Sequence, residues 1–387
     1  MANATSSAAT QPFSKAKAFL AKQYKEEAFE GSDKLHIRST GSVALDWVLG
    51  GGLAAGRLYE FFGTEGSGKT TAALAAAKSV QQQGRPVLYI DFEHAIDTIY
   101  ARDSCGVAMD PDRFLLVQPT TAEAGLDMAL EIIEKFGAGL VIVDSVAAMV
   151  PKAEVEGGVG DLQVGAQARV MGKAMRKLTG VTHRHDSAVI FINQVRDKIG
   201  SVGFGDPTTT PGGRALKFFA SVRIQMSKIK TLDDGVRIRA RIKKSKITGN
   251  QKRVAEFAIR GGIGVDAADE ILTLGVKYGV IGKPNAQAHK FPKVAKPIPR
   301  GEKPARIFLR KPKNQWYVEW LRGNIMEKML EEERLNTEFL PTKDGDPSFD
   351  IDADGGKWDG TTDLDWIVPA KKKSTEAVET EEISEDS

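Results

Sequence analysis

The 387-residue sequence holds one cysteine, Cys105. That scarcity excludes a disulfide framework and any zinc site built on cysteine. No apolar run approaches the ~20 residues needed to span a bilayer. The opening, MANATSSAATQPF, lacks the pattern of a secretory signal. A reduced, cytosolic protein with no membrane partner is expected. Histidine numbers only five, and His183-x-His185 has no third ligand in sight, so a surface turn is expected there. The remainder is ordinary for a soluble chain. With 41% hydrophobic and 27% charged residues it can bury a core in two or three domains.

The formal charge of +3 conceals two blocks. Residues 1–313 carry 46 Lys/Arg against 31 Asp/Glu, a net of +15, and residues 314–387 carry 8 against 20, a net of −12. Residues 223–253 hold 11 basic and 2 acidic side chains, and residues 283–313 hold 10 and 1. Such stripes suit a polyanion, because each neutralised phosphate releases counterions. A solvated strand face is the alternative reading.

Residues 1–12 are small and polar and should be disordered. Residues 13–29 place Phe13, Ala16, Phe19, Leu20, Tyr24 and Ala28 on one helical stripe, so segment 13–38 reads as a helix and linker that either folds back on its own domain or docks on a neighbour. Over 39–268 strand-like and helix-like stretches alternate, which predicts an α/β core with a mixed, mainly parallel sheet. Strands are expected at 58–62, 86–91, 114–118, 140–144, 188–193, 221–226, 236–244 and 254–259, with helices at 69–82, 122–136 and 167–182. The last three strands have no helices between them and predict an antiparallel extension at the sheet edge. Residues 269–335 read as a small basic domain: a helix at 271–278, a Pro/Lys-rich stretch, a core using Trp316, Tyr317 and Trp320, and a charged helix. Residues 336–387 are acidic, with eight Asp between Asp344 and Asp365, and predict a largely disordered tail able to compete for basic surfaces. Within it, Asp350 to Gly355 has an EF-hand outline, but Thr361 stands where Glu is needed, and calcium is not expected.

The strongest local signal is Gly63-Thr-Glu-Gly66-Ser67-Gly68-Lys69-Thr70, a G-x-x-x-x-G-K-T between an apolar strand and a helix. Glycines let the backbone wrap an anion, and N–H groups at the helix start point at phosphates. Lys69 would reach the β- and γ-phosphates of ATP, and Thr70 would ligate Mg²⁺. The run Leu140-Val-Ile-Val-Asp144 ends in an acid at the sheet edge where ligands bind, which suits a Mg²⁺-holding carboxylate. Glu93, after the strand ending at Asp91, is placed to prime water for attack on the γ-phosphate. Gln194, after the strand ending at Asn193, is placed to report that phosphate. Residues 151–165 and 197–213 are long Gly-rich stretches springing from these strand ends, and read as nucleotide-gated binding loops.

These residues carry a family resemblance. Ser39-Thr-Gly-Ser42, the Lys69 loop, Glu93-His-Ala-Ile-Asp97, Val143-Asp-Ser-Val146, Pro151-Lys-Ala-Glu154, Ala174-Met-Arg-Lys177, Phe191-Ile-Asn-Gln-Val-Arg196 and Gly212-Gly-Arg-Ala-Leu-Lys217 together resemble the bacterial RecA recombinase family over roughly residues 36–281. The resemblance implies a P-loop, RecA-like ATPase that forms a helical homo-oligomer on single-stranded DNA. It pairs that strand with homologous duplex and exchanges strands. Two alternatives share the same core: an ATP-switched DNA-coating filament without exchange, and a ring helicase.

By position, the resemblance makes Glu93 the catalytic acid and Gln194 the phosphate sensor, with Gly63, Gly66, Ser67, Gly68, Lys69, Thr70 and Thr71 around the nucleotide. Asp97 and Tyr100 would hold the adenine, and Asp144 would join Thr70 at Mg²⁺. Lys244 and Lys246 would reach a neighbouring subunit's ATP, and Lys217 and Phe218 would relay its state. The helix at 13–29 would dock on the adjacent subunit. Arg169, Arg176, Arg196, Lys198, Thr210, Gly212, Gly213 and Arg214 would meet DNA. The sequence departs from the family at Gly172, where a serine touches phosphate, at Thr208, where a glutamate is usual, and at Gly261, where a tyrosine is usual.

Overall fold

A computed structural model of the chain describes Lys22 and residues 36–158, 165–197, 208–247, 253–285, 287–292 and 300–338. Apart from Lys22, the expected helix at 13–29 lies outside the described residues, as do the acidic tail beyond 338 and Lys198. The chain divides into two units, Met1–His36 and Ile37–Ser387, and the description below is of the second.

In chain order the elements are β1 (Ile37–Arg38), α1 (Val43–Leu49), β2 (Leu53–Ala54), β3 (Arg57–Gly63), α2 (Lys69–Gln82), β4 (Val87–Asp91), β5 (Phe114–Val117), α3 (Ala122–Phe136) and β6 (Leu140–Asp144). There follow α4 (Lys152–Glu156), α5 (Ala166–Arg184), β7 (Ala188–Gln194), β8 (Arg196–Asp197), β9 (Thr208–Thr209), α6 (Gly213–Phe219), β10 (Val222–Leu232), β11 (Gly235–Ser245), β12 (Val254–Arg260) and β13 (Gly264–Val265). Three helices close the described chain: α7 (Ala267–Lys277), α8 (Glu302–Arg310) and α9 (Gln315–Glu338).

Among the described residues nine strands form one sheet in the order β13-β12-β11-β10-β3-β7-β6-β4-β5. Pairing is parallel from β10 through β3, β7, β6 and β4 to β5, and antiparallel from β10 to β13. Side chains alternate between two buried faces, which is why the central strands are apolar throughout. Tyr59, Phe61, Tyr89, Ile142 and Ile190 pack with α1 and α2 on one face. Leu58, Leu88, Ile90, Val141, Val143 and Phe191 pack with α3 and α5 on the other. Boundaries follow local chemistry: Thr121 caps α3 by accepting from the Ala124 amide, and Gly137, at φ 65°, ends it.

The antiparallel extension is present and longer than the hydrophobic pattern implies. β10 pairs with β3 only over Val222–Met226, then continues against β11 to Leu232. Along β11, Ile238, Ala240 and Ile242 are buried while Arg239, Arg241 and Lys243 face outward, so this part of the basic stripe is a solvated strand face. Three helices fall where loop was expected: α4 lies within the first stretch. α6 begins inside the Gly-Gly end of the second stretch, and α8 tolerates Pro304 because its first turn needs no amide donor there.

Helices α7 to α9 share an apolar cluster with Val43 of α1, built from Ile271, Leu272, Leu309, Leu321 and Ile325. Of the three aromatics expected in that core, Tyr317 is buried, donates to the Pro292 carbonyl at 2.6 Å and stacks on Trp320 at 5.8 Å. Trp316 is 73% exposed.

Candidate nucleotide and DNA-binding site

Parallel pairing sets Gly63 opposite Gln194 and Asp91 opposite Asp144, so β3, β7, β6 and β4 end along one edge. That edge carries the expected nucleotide residues. Gly63 must lack a side chain, since a Cβ there would lie 2.1 Å from the Met226 carbonyl oxygen on β10. Gly66 and Gly68, at φ 66° and 77°, turn the loop into α2.

Lys69 is buried, and its Nζ donates to the carbonyls of Gly63 (3.2 Å) and Thr64 (2.8 Å) and to Ser67 Oγ (3.4 Å). Burial pushes its pKa down, opposed by Asp144, Glu93 and Glu65. A phosphate here would exchange these weak ties for a full counter-charge.

Thr70 Oγ1 donates to Asp144 Oδ2 at 2.9 Å, and the Tyr89 hydroxyl donates to the same oxygen at 2.6 Å. Desolvation raises the Asp144 pKa, partly offset by those two donors, and the nearby Glu93 and Asp91 raise it further. A buried carboxylate beside a hydroxyl, among other acids, is a site that gains from a hard cation. The all-oxygen donor set fits Mg²⁺, and Thr70 and Asp144 are the residues that could hold it. Among the described residues no group of three or more His, Cys, Asp or Glu is arranged to hold a metal.

Glu93 lies across from this pair. Its Oε1 accepts from the Ser145 hydroxyl and, at 3.2 Å, from the Gln194 amide. Asp91 builds the turn that presents it, accepting from the amides of Glu93 (3.1 Å) and Ile96 (3.2 Å) and from Gln118 (3.0 Å). On the other side of α2, Thr71 Oγ1 and the Tyr100 hydroxyl are 3.1 Å apart, and Asp97 Oδ1 accepts from the Tyr100 amide at 2.8 Å. Asp97 and Tyr100 thus belong to one turn next to the phosphate loop.

The residues expected at DNA fall into two groups. Arg169 and Arg176 are exposed on α5, two turns apart on one face, with Gly172 between them. Gly213 sits against that helix, since a Cβ there would be 2.9 Å from Ala168 Cβ, and the following residue, Arg214, is exposed. Arg196 is placed by its backbone, paired with Thr209 in the β8–β9 ribbon. Thr210 and Gly212, in contrast, are buried, and Thr210 Oγ1 accepts from Arg223 at 3.4 Å.

Lys244 and Lys246 are brought to a different edge, together with Lys217 and Phe218. Lys244 Nζ donates to the carbonyls of Lys217 and Phe218, both at 2.7 Å, and Lys246 Nζ to that of Phe218 at 3.1 Å. Burial, with Lys246 and Arg223 nearby, lowers the Lys244 pKa to about 8. The Phe218 ring is 69% exposed beneath both ammonium groups.

Several participants were not singled out as site residues from the sequence: Tyr89, Ser145, Gln167, and the trio of buried Asn193 and Glu60 with part-buried Arg223. Asn193 donates to Glu60 at 2.9 Å and to the Pro211 carbonyl at 3.1 Å, and Glu60 pairs with Arg223. Ser145 and Asn193 fall within the family-like motifs and Arg223 opens a basic stripe, while Glu60 is a charged residue inside the apolar strand β3.

A family model described as the RecA N-terminal domain matches residues 19–266. The protein named RecA of Helicobacter hepaticus is 41% identical over 319 residues, covering 81% of this chain and 88% of that protein. That of Sulfurovum sp. is 44% identical over 279 residues, covering 70% and 78%. That of Nitratiruptor sp. is 46% identical over 251 residues, covering 63% and 72%. Among the described residues no helix is long and apolar enough to cross a membrane.

Proposed function

The chain belongs to the bacterial RecA family, and from that premise we propose how its residues carry out the work. The protein is a DNA-dependent ATPase that forms filaments and acts in homologous recombination and DNA repair. The coating-only filament and the ring helicase are not favoured.

ATP lies along the edge where β3, β7, β6 and β4 end. The amides and glycines of Gly63–Thr71 wrap its phosphates, Lys69 leaves its carbonyl partners for the β- and γ-oxygens, and the Thr71–Tyr100–Asp97 turn takes the adenine. Mg²⁺, when bound by Thr70 and Asp144, neutralises charge building on the transferred phosphoryl group. Glu93 orients a water and accepts its proton as oxygen attacks the γ-phosphorus and the bond to ADP breaks. Ser145 and Gln194 keep its carboxylate aimed, and Gln194 donates to a γ-phosphate oxygen once one is present. The observation that carries this reading is that one carboxylate, Glu93, is held by two donors from two other strand ends.

The DNA partners are single-stranded DNA, held along Arg169, Arg176, Arg196, Lys198, Gly213 and Arg214, and a homologous duplex. The patch of Lys217, Phe218, Lys244 and Lys246 meets the nucleotide of the next subunit. Buried Thr210 and Gly212 support the loop from behind. The test is to incubate protein, ATP, Mg²⁺ and single-stranded DNA, then add homologous supercoiled duplex. Joint molecules are expected. Filaments without joint molecules would overturn the exchange activity, and unwinding of a forked duplex without filaments would overturn the filament.

A further inference from the structure

One side chain ties the two candidate DNA-binding stretches to each other. Gln167, half-buried in the first turn of α5, donates through Nε2 to the carbonyls of Val146 (2.8 Å) and Met149 (3.1 Å), in the segment that leads from Asp144 into the first stretch. Its Oε1 accepts from the Gly212 amide at 3.3 Å, where the second stretch ends. The amide is fully used in one orientation only. Flipped, its oxygen would face two carbonyls and its NH₂ would face an N–H. Glycine packing reinforces the join, since a Cβ on Gly212 would lie 2.8 Å from Val146 Cγ1.

The ends of this strut lead to the nucleotide edge by separate routes. Val146 follows Ser145, whose hydroxyl holds Glu93. Gly212 follows Pro211, whose carbonyl accepts from Asn193, the residue before Gln194. Adjacent strand residues face opposite ways, so β7 sends one amide to Glu93 and the other to the end of the second stretch. Gln167 closes the circuit between Ser145–Val146 and Pro211–Gly212.

We propose that Gln167 is a positioning residue that couples nucleotide state to DNA affinity, by making the roots of the two DNA-binding stretches move as one body. This rests on the reading that Glu93 and Gln194 face ATP and that Arg169, Arg176 and Arg214 face DNA. A shift at Ser145 or Asn193 when the γ-phosphate arrives or leaves is then felt at both roots together.

The test measures binding of a labelled oligo-dT by fluorescence anisotropy, in the presence of ADP and of a slowly hydrolysed ATP analogue, for the full chain and for Gln167→Ala and Gln167→Glu. Gln167→Glu keeps the size and the acceptor but loses both donors. Both variants should lose about tenfold of the affinity ratio between the two nucleotide states. Their ADP-state DNA affinity and their nucleotide affinity without DNA should stay within about twofold of the parent. A retained ratio in both variants overturns the proposal. Equal weakening in both nucleotide states also overturns it, because that marks Gln167 as merely structural. If the parent chain itself binds oligo-dT no better with the analogue than with ADP, the underlying reading of the site fails instead.

Discussion

The Gln194 amide donates to Glu93 Oε1 at 3.2 Å. A residue at the end of β7 thereby steadies a carboxylate that follows β4, although β6 lies between those two strands. The neutral amide holds the carboxylate without taking its charge, and it can exchange that partner for a phosphate oxygen when nucleotide binds. In the proposed mechanism the same contact would serve as a rest position and as a sensor.

Glu93→Ala removes the base and leaves the phosphate loop intact. Its kcat for ATP should fall by about 10²–10⁴, with ATP binding and ATP-state filaments preserved in electron micrographs. Normal hydrolysis by this variant would remove Glu93 from the mechanism.

Lys69→Ala deletes the side chain that donates to both the Gly63 and Thr64 carbonyls in the phosphate loop. Calorimetric titration should show nucleotide binding lost or turnover absent, with the circular dichroism spectrum unchanged. Turnover at the parent rate would place the phosphates elsewhere.

Two glycine substitutions should act with opposite signs. Gly63→Ala puts a Cβ 2.1 Å from a backbone oxygen that cannot move without separating β3 from β10, and should cost at least about 1–3 kcal/mol. Gly172→Ala places its Cβ in open space, with the Arg176 guanidinium 4.0 Å away as nearest neighbour. Inside α5 it should stabilise by about 0.5–1 kcal/mol. Urea midpoints of the two variants check both signs.

Glu270 on α7 gives a pH signature. It accepts from Ser42 Oγ at 2.9 Å and from the Ala44 amide at 3.1 Å, beside Asp46 and Arg322. Complete burial raises its pKa to about 7, against the lowering effects of those donors and of Arg322. An acid raised on folding binds more protons in the native state. Its stabilising effect is therefore full below the unfolded value of 4.5 and lost as pH rises to about 7. Glu270→Gln keeps an acceptor for both donors without the titration. The parent should lose stability relative to this variant between pH 4.5 and pH 7, by up to about 3 kcal/mol. Parallel melting curves across that range would exclude Glu270 as the source.

Arg322 and Asp46 form a buried ion pair, with Ser39 and Thr40 donating to the same carboxylate. Arg322→Ala should cost about 3–5 kcal/mol by leaving Asp46 charged and unpaired, and the double variant with Asp46→Ala should recover part of that loss. No recovery would mean that the cost comes from packing alone.

What could be read from the sequence was local. Gly63 to Thr70 dictates its own backbone through glycine torsions and a helix start, and apolar runs ending in Asp91 and Asp144 announce strands whose tips face a ligand. Helix α3 was legible to the residue because Thr121 and Gly137 mark its ends chemically. The basic stripe over β10 and β11 was visible as charge, but which residues face water followed from pleating against β3 and β12. Ser145 and Asn193 stand beside marked residues, and Tyr89 and Gln167 are ordinary polar residues, but the chain does not show that Ser145 meets Glu93 or that Asn193 meets the Pro211 carbonyl. Their roles arise because β6 and β7 are neighbours and because α5 starts beneath both loop roots. Arg322 and Asp46 lie 276 positions apart, and only the docking of α9 on α1 joins them. Sequence alone determined the chemistry available at each strand end and the ATPase family. Tertiary structure decided which of those ends share a proton acceptor, a cation site or a strut, because hydrogen bonds act over about 3 Å and only the strand order brings the partners that close.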